Sequence, residues 1–176
     1  HLTSNRPIKH PDDLKGLIVR VPNVPSFVTA WEALGAKPTP MAFSEVFTSL
    51  QQGTIEAQEN PFAMIKASGF AEVQDYINLT AHVVSWTYPV IGEKQYQAFP
   101  EDLKVIFDEA AADMLRFEHQ LFVKNEKKVQ DELKAQGMEF IEVDKEAFVN
   151  KCRKAIFDSL SPDMKLIYEE ILASRE

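Results

Sequence analysis

The stretch GLIVRVPN, residues 16–23, decides the fold. Its LIVRV segment combines four aliphatic residues with Arg20 and predicts a buried strand that ends at Pro22. A guanidinium keeps its proton, so a permanent positive charge stands at the end of an apolar strand. One interpretation is an arginine whose head reaches water or a carboxylate of this chain. The other is a receptor for an incoming anion, which a planar fork of donors binds at two points.

Helices and strands alternate around this segment. The sequence FVTAWEAL, residues 27–34, predicts a helix with Ser26 as its N-cap and Gly35 as its end. A second helix is predicted from Ser44 as N-cap, and TIEAQENP then predicts a short strand that stops at Pro61. FAMIKASGFAEV is typical of a helix with an interruption.

The remaining sequence predicts an extended region followed by mostly helical structure. Residues 76–92 are rich in β-branched and aromatic types, and residues 101–136 repeat apolar positions at steps of three and four. That helix is roughly 50 Å long at 1.5 Å per residue. A short strand, MEFIEV, precedes two more predicted helices, the last one capped by Ser161. The order of elements indicates an α/β fold.

Composition excludes several classes of function. The 176 residues contain 19 Lys+Arg and 27 Asp+Glu, a net charge of −8, which disfavours binding to nucleic acid or to anionic lipid. One cysteine permits no intrachain disulfide. The sequence contains no serine-hydrolase, zinc-protease or phosphate-loop motif, and its four histidines lack metal-ligand spacing. We therefore expect neither catalysis nor a metal or other cofactor.

Polar and aromatic side chains elsewhere are candidates for a ligand site. Asn60, in QENP, follows a predicted strand; it either forms a turn before Pro61 or faces a ligand beside Arg20. Phe43 follows two prolines and either belongs to the core or forms the apolar wall of a pocket. The same alternatives hold for Trp86.

Three motifs together resemble a known family. LKGLIVRVP, GAKPTPMAFSEV and QENP follow one another at the spacing found in the solute-binding subunits of TRAP (tripartite ATP-independent periplasmic) transporters, of DctP type. The resemblance is clear over residues 3–140 and looser in the terminal helices. It implies a periplasmic-binding-protein-like fold of class II type, with two α/β lobes and a long helix that spans both.

The resemblance also implies a function and partners. Such proteins capture a small organic acid in the periplasm and deliver it to membrane permease subunits, without catalysis. We expect a carboxylate such as a C4-dicarboxylate; the alternative is a sugar acid, keto acid or other monocarboxylate.

Family members also imply roles for single residues. Arg20 matches the arginine that binds the ligand carboxylate. Asn60 matches an asparagine that contacts the same carboxylate region of the ligand. Phe43 matches an aromatic that packs on the ligand, and Asn23 matches a position that often lines the pocket. Trp86 falls where several members place a side chain that selects the substrate.

The chain departs from the family in length. It begins near the middle of a typical member, without most of the first lobe and without a second arginine that normally precedes His1. The family topology assigns residues 1–86 and 130–176 to the second lobe, and residues 87–129 to a crossing strand and long helix that belong partly to the first. Apolar faces around residues 88–122 would then lack partners, which predicts self-association or domain swapping.

Two other classes of function remain as alternatives. An α/β enzyme would need a nucleophile or an acid–base pair, and the sequence offers none that stands out. A helical interaction protein built on residues 101–136 is disfavoured by the strand-rich region 17–91.

Overall fold

A six-stranded mixed sheet forms the centre of the molecule. The computed structural model describes residues 1–84 and 88–174. The strands are β1 (Leu2–Ser4), β2 (Ile18–Val21), β3 (Lys37–Pro40), β4 (Ala57–Glu59), β5 (Tyr76–Asn78) and β6 (Glu139–Ile141), in the spatial order β3-β2-β4-β1-β5-β6. Strand β1 is antiparallel to both neighbours, and the other pairs are parallel. Five strands therefore end at the same edge, where open α/β sheets bind ligands.

Helices cover both faces of the sheet. They are α1 (Pro25–Leu34), α2 (Val46–Gln51), α3 (Phe62–Ala67), α4 (Glu93–Gln97), α5 (Glu101–Ala135), α6 (Lys145–Ser159) and α7 (Pro162–Ala173). Short 3-10 helices occupy Pro11–Leu14, Phe43–Glu45 and Phe70–Glu72. The predicted α/β fold and the predicted long helix are confirmed. No helix in the described ranges is long and apolar enough to cross a membrane.

The alternation of side chains along β2 separates two cores. Val19 and Val21 pack with Trp31 of α1 and Phe148 of α6 on one face. Ile18 packs on the other face, where α2, α3 and the end of α5 contribute a second apolar cluster. Successive residues of a strand point to opposite faces, so Arg20 shares the face of Ile18.

Two predicted N-caps are wrong. Helix α1 begins at Pro25 after Val24, without a side-chain cap, because proline already has the φ of a first helical residue. Ser44 lies inside the 3-10 helix Phe43–Glu45 rather than in front of α2. Two other predictions are confirmed: Gly35 ends α1 with φ 98°, and Ser161 accepts a hydrogen bond from the Met164 amide.

The predicted extended region is shorter than expected. Only β5 forms there, and no strand occurs in residues 79–84 or 88–92. The neighbours β1 and β6 are three residues long. The Leu79 amide still donates to the Ile141 carbonyl at 2.9 Å, but the backbone of residues 80–84 pairs with no strand. The crossing strand expected near residue 88 is therefore absent from the described residues that follow the gap.

A candidate anion site at the strand ends

Arg20 lies near the end of β2 and is held there by the backbone. Its side chain is only 6% exposed, and both Nε and Nη2 donate to the carbonyl oxygen of Met41, at 3.1 and 2.7 Å. Met41 follows β3, and its amide continues the β2–β3 pairing by donating to the Val21 carbonyl at 3.2 Å. The guanidinium is thereby oriented before any ligand arrives.

One edge of the guanidinium remains available. The Met41 carbonyl occupies the side edge, formed by Nε and Nη2, and leaves the end edge, formed by Nη1 and the second Nη2 hydrogen. No side chain or carbonyl within the described ranges accepts a hydrogen bond from Nη1. Two parallel N–H groups match a carboxylate at two points. The first interpretation let the arginine head reach water or a carboxylate of its own chain. No carboxylate pairs with Arg20 among residues 1–84 and 88–174.

The electrostatic environment of Arg20 is mixed. Burial lowers the pKa of its guanidinium from the ordinary value, and the Glu59 carboxylate partly offsets that effect. Arginine nevertheless stays charged, because its pKa in water lies far above neutral pH. A charge removed from water in this way gains from a partner of opposite sign.

Phe43 provides an aromatic wall beside the charge. The Arg20 guanidinium carbon lies 5.7 Å from the ring centroid, within the range of a cation–π contact. The Phe70 ring packs edge-on against the Phe43 ring, with the two ring centroids 6.1 Å apart. The Phe43 side chain is still 38% exposed, so part of its surface is free to contact a ligand.

Asn60 stands at the same edge, one strand away. Gln58 of β4 is the register partner of Arg20, and Asn60 follows it by two residues. The Asn60 backbone amide donates to the His1 carbonyl at 3.0 Å, which continues the β1–β4 pairing. Its side-chain Nδ2 donates to Gln58 Oε1 at 2.6 Å. The sheet therefore places Arg20 and Asn60 on neighbouring strand ends of one face.

Two expected site residues are not brought into this group. Asn23 is exposed in the connection between β2 and α1, and its side chain makes no hydrogen bond to the described residues. Trp86 lies outside the described residues. The shallow depressions on α5 and between α6 and α7 are lined by neither Arg20, Phe43 nor Asn60.

Sequence reasoning missed two polar groups around the site. Gln58 is fully buried and donates to Thr3 Oγ1 at 2.9 Å, and Thr3 in turn donates to Gln74 at 3.0 Å. The period of two along QEN places Gln58 and Asn60 on one face, which was the available signal. No local sequence pattern predicts the register of β1 against β4 or the position of Gln74 beside Thr3.

The second group lies on the opposite face of β4. The Glu59 carboxylate is 3.3 Å from Nε2 of His82, whose Nδ1 is 2.7 Å from Thr80 Oγ1. The His82 ring packs edge-on against Trp31 at 5.2 Å. Within residues 1–84 and 88–174, no group of three His, Cys, Asp or Glu side chains is placed to hold a metal.

Comparison with known proteins gives the family. The model of "Bacterial extracellular solute-binding protein, family 7" (DctP) matches residues 1–172. A solute-binding protein of Roseobacter denitrificans is 46% identical over 173 residues, 98% of this chain and 53% of that protein. The 2,3-diketo-L-gulonate-binding periplasmic protein of Escherichia coli is 32% identical over 162 residues, 92% of this chain and 49% of that protein.

Solved structures agree with the fold. The TRAP periplasmic solute-binding protein of Roseobacter denitrificans, with bound L-galactonate, has a TM-score of 0.89 at 46% identity, over 97% of this chain and 57% of that one. One described as from Ochrobacterium anthropi, with bound L-fuconate, has a TM-score of 0.81 at 31% identity, over 93% and 55%. The chain spans about half the length of these relatives. It belongs to bacterial extracellular solute-binding protein family 7, the DctP family of TRAP solute-binding proteins.

Proposed function

We propose that this chain supplies the carboxylate-binding part of a TRAP solute-binding protein that captures a sugar acid in the periplasm. The observation that carries the proposal is the free end edge of the Arg20 guanidinium. The Met41 carbonyl binds the other edge and holds the group beside the Phe43 ring. A carboxylate there would receive two charge-assisted hydrogen bonds in a site that is largely removed from water.

The class of acid follows from the relatives rather than from Arg20. Arg20 binds any carboxylate, so the site geometry alone does not separate a C4-dicarboxylate from a sugar acid. The relatives bind L-galactonate, L-fuconate or 2,3-diketo-L-gulonate, all polyhydroxylated acids. They favour the alternative expectation over the C4-dicarboxylate that the sequence first suggested.

The proposed mechanism is capture by closure. Residues 1–86 and 130–176 would form one lobe, and residues 87–129 would connect it to a second. A ligand that contacts both lobes shifts an open–closed equilibrium by its extra affinity for the closed form. The closed protein would then deliver the acid to the membrane permease subunits of the transporter.

Calorimetry on the full-length protein tests the role of Arg20. L-Galactonate and succinate are titrated into wild type, Arg20→Ala and Arg20→Lys. We expect wild type to prefer L-galactonate, Arg20→Ala to lose about 2–5 kcal/mol of binding free energy, and Arg20→Lys to lose most of the affinity, since a point charge cannot replace the fork.

A matched control is the exposed Arg116 of α5, whose side chain is 68% exposed. Arg116→Ala should leave the dissociation constant unchanged. An unchanged constant in Arg20→Ala would contradict the assignment, and a preference for succinate in wild type would restore the dicarboxylate.

A further inference from the structure

A series of hydrogen-bonded, buried polar side chains crosses the sheet next to the proposed site. Thr3 and Gln58 are 0% exposed, and Gln74 is 2% exposed. Buried amides and hydroxyls need hydrogen-bond partners, and apolar residues of similar size would fill the same space without that requirement. The three side chains bond to one another and end at Asn60, so their arrangement bears on the site.

Gln74 sets which group donates and which accepts in this series of hydrogen bonds. Its Nε2 lies 3.3 Å from the Glu56 carbonyl oxygen and 3.1 Å from the Val73 carbonyl oxygen. Carbonyl oxygens only accept hydrogen bonds, so this end of the amide must be the NH₂ group. The other end, Oε1, then faces Thr3 Oγ1 at 3.0 Å and can only accept, which forces the Thr3 hydroxyl to donate.

The same reasoning passes on to Asn60. The single hydroxyl hydrogen of Thr3 is used, so Thr3 Oγ1 accepts from Gln58 Nε2 at 2.9 Å. Gln58 therefore turns its Oε1 toward Asn60, 2.6 Å from Nδ2. If Asn60 were reversed, two carbonyl-type oxygens would face each other at that distance. The Asn60 amide is thus fixed with Oδ1 away from Gln58, and no described residue donates a hydrogen bond to that oxygen.

We propose that Thr3, Gln58 and Gln74 are positioning residues that hold Asn60 with Oδ1 toward the ligand, so that the site selects an acid with a hydroxyl next to its carboxylate. The inference rests on the proposed function, in which this edge binds an organic acid. A carboxylate oxygen cannot lie against Oδ1, because both atoms only accept. Asn60 lies two residues beyond Gln58, the register partner of Arg20. With the carboxylate on Arg20, we expect the hydroxyl of the adjacent carbon to be the donor that reaches Asn60.

The first test compares two ligands on the full-length wild-type protein. L-Galactonate and its 2-deoxy analogue differ only in that hydroxyl. We expect the 2-deoxy acid to bind on the order of 10- to 100-fold more weakly, because a polar group of the site is left without its partner. Equal affinity for the two acids overturns the inference. Failure to bind either acid would instead reject the proposed function.

The second test uses a matched pair of variants. Thr3→Val removes the hydroxyl at nearly constant shape, and Thr3→Ser keeps it. In Thr3→Val the Gln58 amide is no longer oriented, so the preference for L-galactonate over the 2-deoxy acid should fall to within about threefold of unity. Thr3→Ser should retain the wild-type preference. A merely structural role for Thr3 would change the melting temperature without changing this ratio, and an unchanged ratio in Thr3→Val overturns the inference. If Thr3→Val does not fold, the comparison of the two acids on wild type decides alone.

Discussion

Two aromatic residues of the same type show how differently the two parts of the molecule are built. Phe62 of α3 is 2% exposed in the cluster under the sheet, whereas Phe117 of α5 is 66% exposed. Helix α5 has 35 residues, and only Leu133, near its end, is buried. The exposed apolar side chains on its first two thirds are Leu103, Val105, Ile106, Phe107, Met114, Leu115, Phe117, Leu121, Phe122 and Val123.

The difference shows that an apolar repeat specifies a helix without specifying what covers it. Around the sheet, β-strand neighbours and helices supply that cover on both faces. Beyond Val129, α5 joins the second cluster, and Lys66 of α3 pairs with Glu132 there at 2.5 Å. Toward its start, the aromatic partners of Phe107 are Tyr96 and Phe99, which are close to it in sequence.

The largest expected effect comes from deleting the buried ring. Phe62→Ala should destabilise the chain by about 3–5 kcal/mol, since it leaves a cavity between α3 and the sheet. Phe117→Ala is the matched control and should cost less than about 0.5 kcal/mol. Urea denaturation measures both. Similar losses in the two variants would show that the start of α5 is buried in solution.

A second expected effect is the loss of a buried amide. Asn78 accepts from the Ile8 amide at 2.7 Å and donates to the Leu2 carbonyl and to Ser4 Oγ, which ties β1 to β5. Asn78→Leu leaves these groups without partners and should cost about 2–3 kcal/mol by the same measurement.

The exposed Asn150 of α6 gives the control. Asn150→Leu should change stability by less than about 0.5 kcal/mol. An Asn78→Leu variant as stable as wild type would indicate that the amide contributes no more to stability than a well-packed apolar side chain.

These contrasts define what the sequence could predict. Strand β2 and helix α5 follow from patterns confined to the segments themselves, and both were predicted within a residue or two. The cap at Ser26 failed because Pro25 starts the helix two residues earlier than a serine cap at residue 26 requires. Residues 79–84 form no strand despite their composition, because no neighbouring strand is long enough to pair with them.

The candidate site divides in the same way. Arg20 and Asn60 were found because each stands at a strand end, a position visible in the chain. Gln58 bonds to Thr3, and Thr3 to Gln74, because three segments distant in sequence are aligned in the sheet. No local sequence pattern predicts that alignment. The role of Asn23 as a ligand contact stays a prediction.

Self-association of the 176-residue chain is the third prediction. Burying the exposed face of α5 against a second copy would remove apolar surface from water. Replacing Leu103 and Phe117 by lysine should raise the dimer dissociation constant at least tenfold, about 1.4 kcal/mol, in sedimentation equilibrium. A parent chain that is monomeric at all concentrations would reject self-association. The exposed and uncharged Gln120 and Asn125 lie on the same helix, so Gln120→Lys and Asn125→Lys add the same two positive charges and serve as the control.

The smallest expected effect concerns the pair that ties α5 to α3. The hydrogen bond from Lys66 holds the pKa of Glu132 below its usual value of 4.5. A lowered folded-state pKa adds stability above the unfolded pKa, and this is lost as pH falls through the folded value. Lys66→Met keeps the aliphatic stem and removes the charge. It should be slightly less stable than wild type at pH 7, and the difference should shrink as the pH falls below 4.5.

Thermal unfolding across this pH range, with Lys127→Met as control, separates charge from packing. Lys127 pairs with Asp131 on the exposed side of the same helix, where ion pairs contribute little. A difference between Lys66→Met and wild type that does not shrink as the pH falls would mean that the Lys66 stem, not its charge, holds α5. In that case, high salt should leave the difference intact as well, whereas an ion pair near the surface would weaken.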